Sequence, residues 1–248
     1  MAEFFLELFS EEIPAGLQKN LREKLLEEFQ KFFLEKSIKS KKNFSLSTPN
    51  RLVIVFEGLD KQIKILSEEI KGPKTNAPKQ ALEGFVRSNK IEKKDLYKKK
   101  NEKGEFYFYR TKSVSLKTHD LLTEFVPKLL ENYQWKKSMK WGVYDLNWGR
   151  PLKSILSVFD KKIINFEFHH ICSSSSTYID KDFEEKKRNF TDFKSYEKYF
   201  KKQGTIINQD KRKDLIKREF SKILSKRKLT IQENPKLFDE VINLVDNP

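Results

Sequence analysis

Nucleophilic or metal chemistry in this chain would have to use its few histidines and its one cysteine. Cys172 stands close to His169 and His170. A thiolate beside an imidazole would make a nucleophile and base, and the same set could ligate a metal. The spacing argues against both. Adjacent residues of a strand point to opposite faces, so His169 and His170 cannot readily share an ion. His119 falls at the start of an expected helix and suits a surface or capping role. A single cysteine excludes an internal disulfide. Glu7, Glu11 and Glu12 gather beside Pro14. Paired carboxylates can do acid–base work, but no partner group can be identified, and a role in a strand-to-helix turn is the simpler reading. No phosphate loop, dinucleotide fingerprint or G-x-S-x-G elbow occurs. No complete catalytic constellation is present.

The segment MKWGVYDLNWGRP, residues 139–151, is different. It holds two Trp-Gly pairs in a chain with 3 Trp and 8 Gly, so the clustering carries information. Glycine after tryptophan permits a tight turn and a close backbone approach. Lys140 and Arg150 flank it. Two readings stand side by side: an RNA-contacting loop, and a structural corner anchored by tryptophan.

Charge points the same way without deciding it. The chain has 51 Lys and Arg against 36 Asp and Glu, a net +15. Such an excess favours polyanions, because bound Lys and Arg release counterions condensed on phosphates. A solvated lysine-rich surface is the plain alternative. No run approaches the roughly 20 apolar residues of a membrane helix, and the N-terminus lacks the basic leader of a signal peptide. A reducing cytoplasm fits.

The elements expected to position these residues read as α+β: a mixed or antiparallel sheet with packed helices, then a more helical segment. EFFLELF at 3–9 predicts a strand. Pro14 starts a helix with Leu17, Leu21, Leu25, Phe29 and Phe32 on one stripe. RLVIVFE at 51–57 predicts a buried strand entered by the turn Thr48-Pro49-Asn50, and 61–66 could pair with it. Gly72-Pro73 should break the chain, and a helix around 78–86 should bury Ala81, Leu82 and Phe85. Residues 95–114 predict a hairpin turning at NEKG, with Phe106 and Phe108 on one face and Tyr107 and Tyr109 on the other. Such rings could stack on RNA bases, though sheet packing is the commoner role of aromatic strand residues. A helix spans 118–133, capped by Thr118 and kinked at Pro127. PLKSILSVFD reads as strand or short helix, and KKIINFEFHHI as strand. SSSS at 173–176 predicts a loop and a boundary, giving domains 1–172 and 173–248. Helices follow at 192–202, 210–226 and 235–245, with Asp192 and Asp210 as N-caps, Gly204 ending the first, and a short strand at 205–207.

In order along the chain, several stretches resemble the beta subunit of the bacterial two-subunit glycyl-tRNA synthetase. They are EFFLELFSEEIPAGLQ at the start, TPNRLVI at 48–54, KGPKTNAPKQALEGFVRSN at 71–89 and KGEFYFYR at 103–110. MKWG at 139–142, GRPLKSILSVFD and NPKLFDEVINLVDNP at 234–248 complete the series. Three departures stand out. Asn50-Arg51 replaces a paired arginine. Lys140 replaces an arginine, which keeps charge but loses the bidentate fork. SSTYIDKDFEE at 175–185 stands where the family carries a Thr-x-Gly-His-Arg-Phe run.

The resemblance implies roughly the first third of a beta subunit, whose later part forms helical domains and an anticodon-binding domain. It implies a non-catalytic subunit of a glycine–tRNA ligase, with tRNA(Gly), the alpha subunit and the remaining beta domains as partners. ATP and magnesium would be used through the alpha subunit and not bound by this chain. Arg51, Lys140 and Arg150 are then the candidate phosphate-facing residues. The alternative is an assembly module with no direct RNA contact.

Overall fold

The computed structural model describes residues 2–65, 67–101, 104–135, 137–179, 186–232 and 234–248. The described residues form two compact units. One comprises Met1–Lys61 with Lys117–Pro248; the other is Gln62–Leu116. The fold class is α+β.

In the first unit, β1 (Ala2–Ser10) leads through a short turn into α1 (Ala15–Glu35), followed by β2 (Lys42–Thr48) and β3 (Arg51–Leu59). In the second come β4 (Gln62–Ile65), β5 (Glu69–Lys74), α2 (Lys79–Ser88), β6 (Leu96–Asn101), β7 (Gly104–Arg110) and β8 (Val114–Lys117), whose last residue re-enters the first unit. The first unit resumes with α3 (Thr118–Glu131), β9 (Leu152–Phe159), β10 (Lys162–Ile163), β11 (Glu167–Phe168), β12 (Ile171–Ser174), β13 (Ser176–Tyr178) and β14 (Lys187–Asn189). It ends in α4 (Phe193–Lys202), α5 (Gln209–Arg227) and α6 (Pro235–Leu244).

The first unit is built on a seven-stranded sheet ordered β11-β12-β9-β1-β3-β2, with β10 paired to β9. It is mixed, because β12 runs parallel to β9 while the other pairs are antiparallel. β1 lies at its centre, and the alternation of its side chains explains why its apolar residues fall on both faces. Phe4 faces α1, with its ring 5.1 Å from Phe29. Phe5 faces α4, 4.9 Å from Tyr196. Helices therefore cover both faces. On the α1 side Phe29, Phe33 and Phe56 interlock, and Phe125 of α3 stacks on Phe32 at 3.8 Å. On the other side Val53, Val55, Leu156 and Val158 meet Phe190, Phe193 and Phe200.

The last two helices pack on the same unit. Arg212 of α5 is fully buried and donates to the carbonyls of Ile242, Ile206, Ile207 and Ser47. One guanidinium thus ties α6, the α4–α5 connection and β2 together.

Several expectations change on this framework. The proposed boundary at 172/173 falls inside β12, and the division into units lies at 61/62 and 116/117 instead. The serine run is no loop. Ser173 is buried and its hydroxyl bonds the Ile164 carbonyl, so alternating serines satisfy themselves within strands. KKIINFEFHHI is three short pieces, since Asp160, Lys161 and His169 adopt left-handed turns. The 61–66 segment gives β4, paired with β8 and not with β3. Gly72-Pro73 does not break β5. The register with β7 shifts between Lys71 and Lys74, and the proline occupies a bulge where no N–H is needed. Nothing in α2 is fully buried; Ala81 is exposed, and Leu82 and Phe85 are half-buried. Thr118 does not cap α3, because its hydroxyl donates to the Asp60 carbonyl. Asn208, not Asp210, caps α5 through the amides of 210 and 211. Residues 205–207 form no strand. Asp192 does cap α4, accepting from the Ser195 amide. Leu66, the hairpin turn at 102–103, and 180–185 within the departing run lie outside the described residues.

Candidate functional site

The three residues singled out as phosphate-facing have different surroundings. Arg51 opens β3 directly after the two-residue turn Pro49–Asn50, and its side chain points to the α4 side of the sheet. It is 4 % exposed. Its guanidinium donates to the Glu7 carboxylate, to Thr177 Oγ1 at 3.0 Å and to the Tyr178 carbonyl. Phe9 and Phe200 rings flank it, each 4.4 Å away. Burial opposes the charge, but the Glu7 carboxylate and Tyr196 outweigh it, so the group is held above its ordinary value. The Tyr196 hydroxyl donates to Glu7 Oε1 at 2.6 Å, and burial followed by that carboxylate pushes the phenol well above its ordinary value. Arg51 is therefore a buried cation paired inside the sheet layer, with both terminal nitrogens bonded, and a phosphate-facing role does not fit this placement. Glu7 likewise leaves the acidic group expected beside Pro14; only Glu11 and Glu12 remain at the surface, with Glu11 paired to Lys153 at 2.5 Å.

Lys140 and Arg150 both belong to the 139–151 corner, on either side of its bridge. Met139 and Trp148 form an antiparallel bridge, with reciprocal amide–carbonyl bonds of 2.8 and 3.2 Å. Trp148 is buried against Trp135, Tyr133 and Phe168. Gly149 is required there, since a Cβ would lie 2.0 Å from the Trp135 ring. Gly142 takes φ +58° and turns the loop outward. The tip presents Val143, 94 % exposed, and Tyr144, whose ring stacks on His170 at 3.6 Å. Trp141 packs edge-on against both. Desolvation, and then the neighbouring His169, hold the His170 imidazole below its ordinary value. Lys140 is solvent-facing, 3.4 Å from a still more exposed Asp145. Arg150 is half-buried and lines an open cleft of about 580 Å³ with Glu11, Glu12, Pro14 and Leu244. Its Nε has no partner among the described residues. The tryptophan corner is structural, and it displays an exposed, partly aromatic tip.

The His/Cys set disperses. His169 bonds Glu131 at 3.0 Å, His170 lies on Tyr144, and Cys172 is exposed on β12. His119 contacts the Ile163 carbonyl at 3.0 Å. Among the described residues no group of three or more His, Cys, Asp or Glu is placed to hold a metal, and no helix is long and apolar enough to cross a membrane.

In the second unit, β5-β7-β6 form a three-stranded sheet. Phe106 and Phe108 are 8 % and 5 % exposed. Lysine ammonium groups lie over them: Lys71 sits 3.7 Å from the Phe106 centroid, and Lys99 5.5 Å from that of Phe108. These two rings pack within the sheet under that cover, the commoner role of aromatic strand residues.

Comparison with known proteins gives this geometry a context. The sequence model of the family described as "Glycyl-tRNA synthetase beta subunit" matches residues 4–248. The chain belongs to that family. The glycine–tRNA ligase beta subunit of Rickettsia conorii is 35 % identical over 248 residues, which is all of this chain and 37 % of the relative. Those of Rickettsia bellii and Rickettsia felis are 35 % and 34 % identical, again over the whole chain and 38 % of each relative. The chain thus spans well under half the length of these beta subunits. Against the family pattern, the Thr-Pro-Asn-Arg turn places its one arginine in the buried Glu7 pair, and the Met-Lys-Trp-Gly loop is the exposed corner.

Sequence reasoning missed Tyr196 and Arg212. Phe193, Tyr196 and Phe200 lie at helical spacing, which identifies an apolar face but not a hydroxyl partner on β1. Arg212 sits within Lys211-Arg212-Lys213, where nothing local separates a buried cation from its solvated neighbours.

Proposed function

We propose that this chain serves a glycine–tRNA ligase as the part of the beta subunit that contacts tRNA(Gly) and supports assembly, outside the glycine-activation centre. The carrying observation is the 139–151 corner. There a buried tryptophan anchor carries a corner that includes Lys140, Arg150 and the Tyr144–His170 stack, in a family member with net charge +15. Cations held in register suit a phosphate backbone, and a stacked aromatic pair suits an unpaired base. In this reading, glycine activation with ATP and magnesium belongs to the alpha subunit, and the complex works in the cytoplasm.

The test is binding of tRNA(Gly) across a salt series. For Lys140→Ala/Arg150→Ala, the log–log salt slope should fall by about two units, roughly one for each phosphate no longer neutralised. Unchanged affinity and slope would sink RNA contact at this corner.

One observation favours an assembly role without RNA contact. Phe220, Ile223, Leu237 and Leu244 on α5 and α6 are large apolar side chains left exposed. Such a surface suits the alpha subunit or the remaining beta domains. Association with purified alpha subunit in size measurements, with no tRNA affinity, would favour this second reading.

A further inference from the structure

We infer that the unit Gln62–Leu116 grips the sugar-phosphate backbone of RNA through Lys71, Lys74 and Lys99, without stacking on bases. The inference rests on the RNA-binding reading above and names a second surface for it. Charge is concentrated here. These 55 residues carry 14 Lys and Arg against 7 Asp and Glu, so net +7 of the chain's +15 resides in less than a quarter of its length.

The sheet geometry makes that charge a surface. In the β5-β7-β6 register, Lys99 stands opposite Phe106, Tyr97 and Lys71 opposite Phe108, and Lys74 opposite Phe106. Residues directly opposite in antiparallel strands share a face, so these lysines and rings form one layer. Lys71 and Lys74 approach the Phe106 ring to 3.7 and 5.8 Å. The rings hold the stems in place, which lowers the ordering cost when a phosphate arrives. Among the described residues, neither Lys71 nor Lys74 has a carboxylate in ion-pair range. Lys99 shares Glu69 with Tyr97, at 2.7 and 2.5 Å, and that carboxylate fixes its position.

The chemistry selects the partner. The buried rings of Phe106 and Phe108 offer bases no stacking face and a membrane no apolar anchor, while a row of held ammonium groups matches the repeating charge of a polynucleotide.

The experiment uses the 248-residue chain with tRNA(Gly) transcript in a salt series from about 50 to 200 mM. K71Q/K74Q/K99Q should reduce affinity by about tenfold or more and the salt slope by about two to three units, whereas K71R/K74R/K99R should keep both. A poly(U) oligonucleotide should lose affinity in parallel, since no base is read. Cross-linking of thiouridine-substituted tRNA to the unmutated chain is a second readout, expected to mark peptides within 69–74 and 96–110. An unmutated chain without RNA affinity overturns both readings. Affinity lost in K140A/R150A but retained in K71Q/K74Q/K99Q, with cross-links absent from the second unit, overturns this inference alone. So does binding to phosphatidylglycerol vesicles in place of RNA. Loss confined to the lysine variant supports this surface and removes the corner.

Discussion

Arg51 and Lys71 both lie against phenylalanine rings, at 4.4 and 3.7 Å, yet they belong to opposite kinds of structure. Around Arg51 two rings, a carboxylate, a hydroxyl and a carbonyl surround a guanidinium that is 4 % exposed, which leaves little access for a ligand. Around Lys71 the ring covers one side, and the ammonium group has no acidic neighbour among the described residues. A cation on an aromatic ring thus predicts nothing about function until its counter-ion is known. Where the protein supplies a buried anion, the cation is structural. Where it does not, the anion can come from outside.

The buried side of this contrast should give the largest effect. Arg51→Ala strands the Glu7 carboxylate in the sheet interior, and breaking a buried pair this way costs about 3–5 kcal/mol. Urea unfolding followed by circular dichroism would measure it. The double variant Glu7→Leu/Arg51→Met should recover much of the loss, because an apolar pair of similar volume avoids the unpaired charge. A cost under about 1 kcal/mol for Arg51→Ala would mean that the shell is open and would restore Arg51 as a phosphate ligand.

The same contrast explains which parts could be read from sequence. β1 and β3 were legible because their apolar runs are covered on both faces, and α1 because its stripe has period 3.6. The Trp-Gly corner was legible because Gly149 and Trp148 are rare types used for a steric reason. Arg51 was misplaced because adjacent sequence cannot show a carboxylate on another strand. Its partners Glu7 and Thr177 lie 44 and 126 positions away. The division of the chain was obscured for a related reason. The second unit is an insertion between β3 and α3 whose entry and exit, β4 and β8, are weakly patterned and find one another only through pairing. The lysines of β6 read as a plain charge run, and their relation to Phe106 and Phe108 exists only in the cross-strand register.

Alkaline titration sharpens the buried half further. Tyr196 donates to Glu7, and burial followed by that carboxylate raises its folded value above the ordinary one near 10. Above about pH 10 the unfolded state therefore releases the phenolic proton first. The folded state holds more protons, and stability falls as pH rises. At neutral pH Tyr196→Phe should cost about 2 kcal/mol, as for a hydrogen bond to a charged group. That gap should close above about pH 10, at up to about 1.4 kcal/mol per pH unit. Arg212, which burial lowers to about 10, works in the opposite sense. It contributes equally to both proteins, so the difference between them isolates the tyrosine. A gap that stays constant to pH 12 would mean that the phenol is not sealed with Glu7.

At the exposed end the expected change in stability is the smallest, and for that reason it discriminates well. Lys71→Ala removes a surface cation–π interaction, worth about 0.5–1 kcal/mol at an exposed site. No buried carboxylate is stranded, since Lys71 has none beside it among the described residues. Thermal unfolding should therefore move little, while tRNA affinity at low salt falls and its salt slope drops by about one unit. Loss of affinity without loss of stability would separate Lys71 from Arg51, whose substitution must cost stability first. Substantial destabilisation by Lys71→Ala with an unchanged salt slope would place Lys71 with the structural cations and erase the distinction between the two rings' partners.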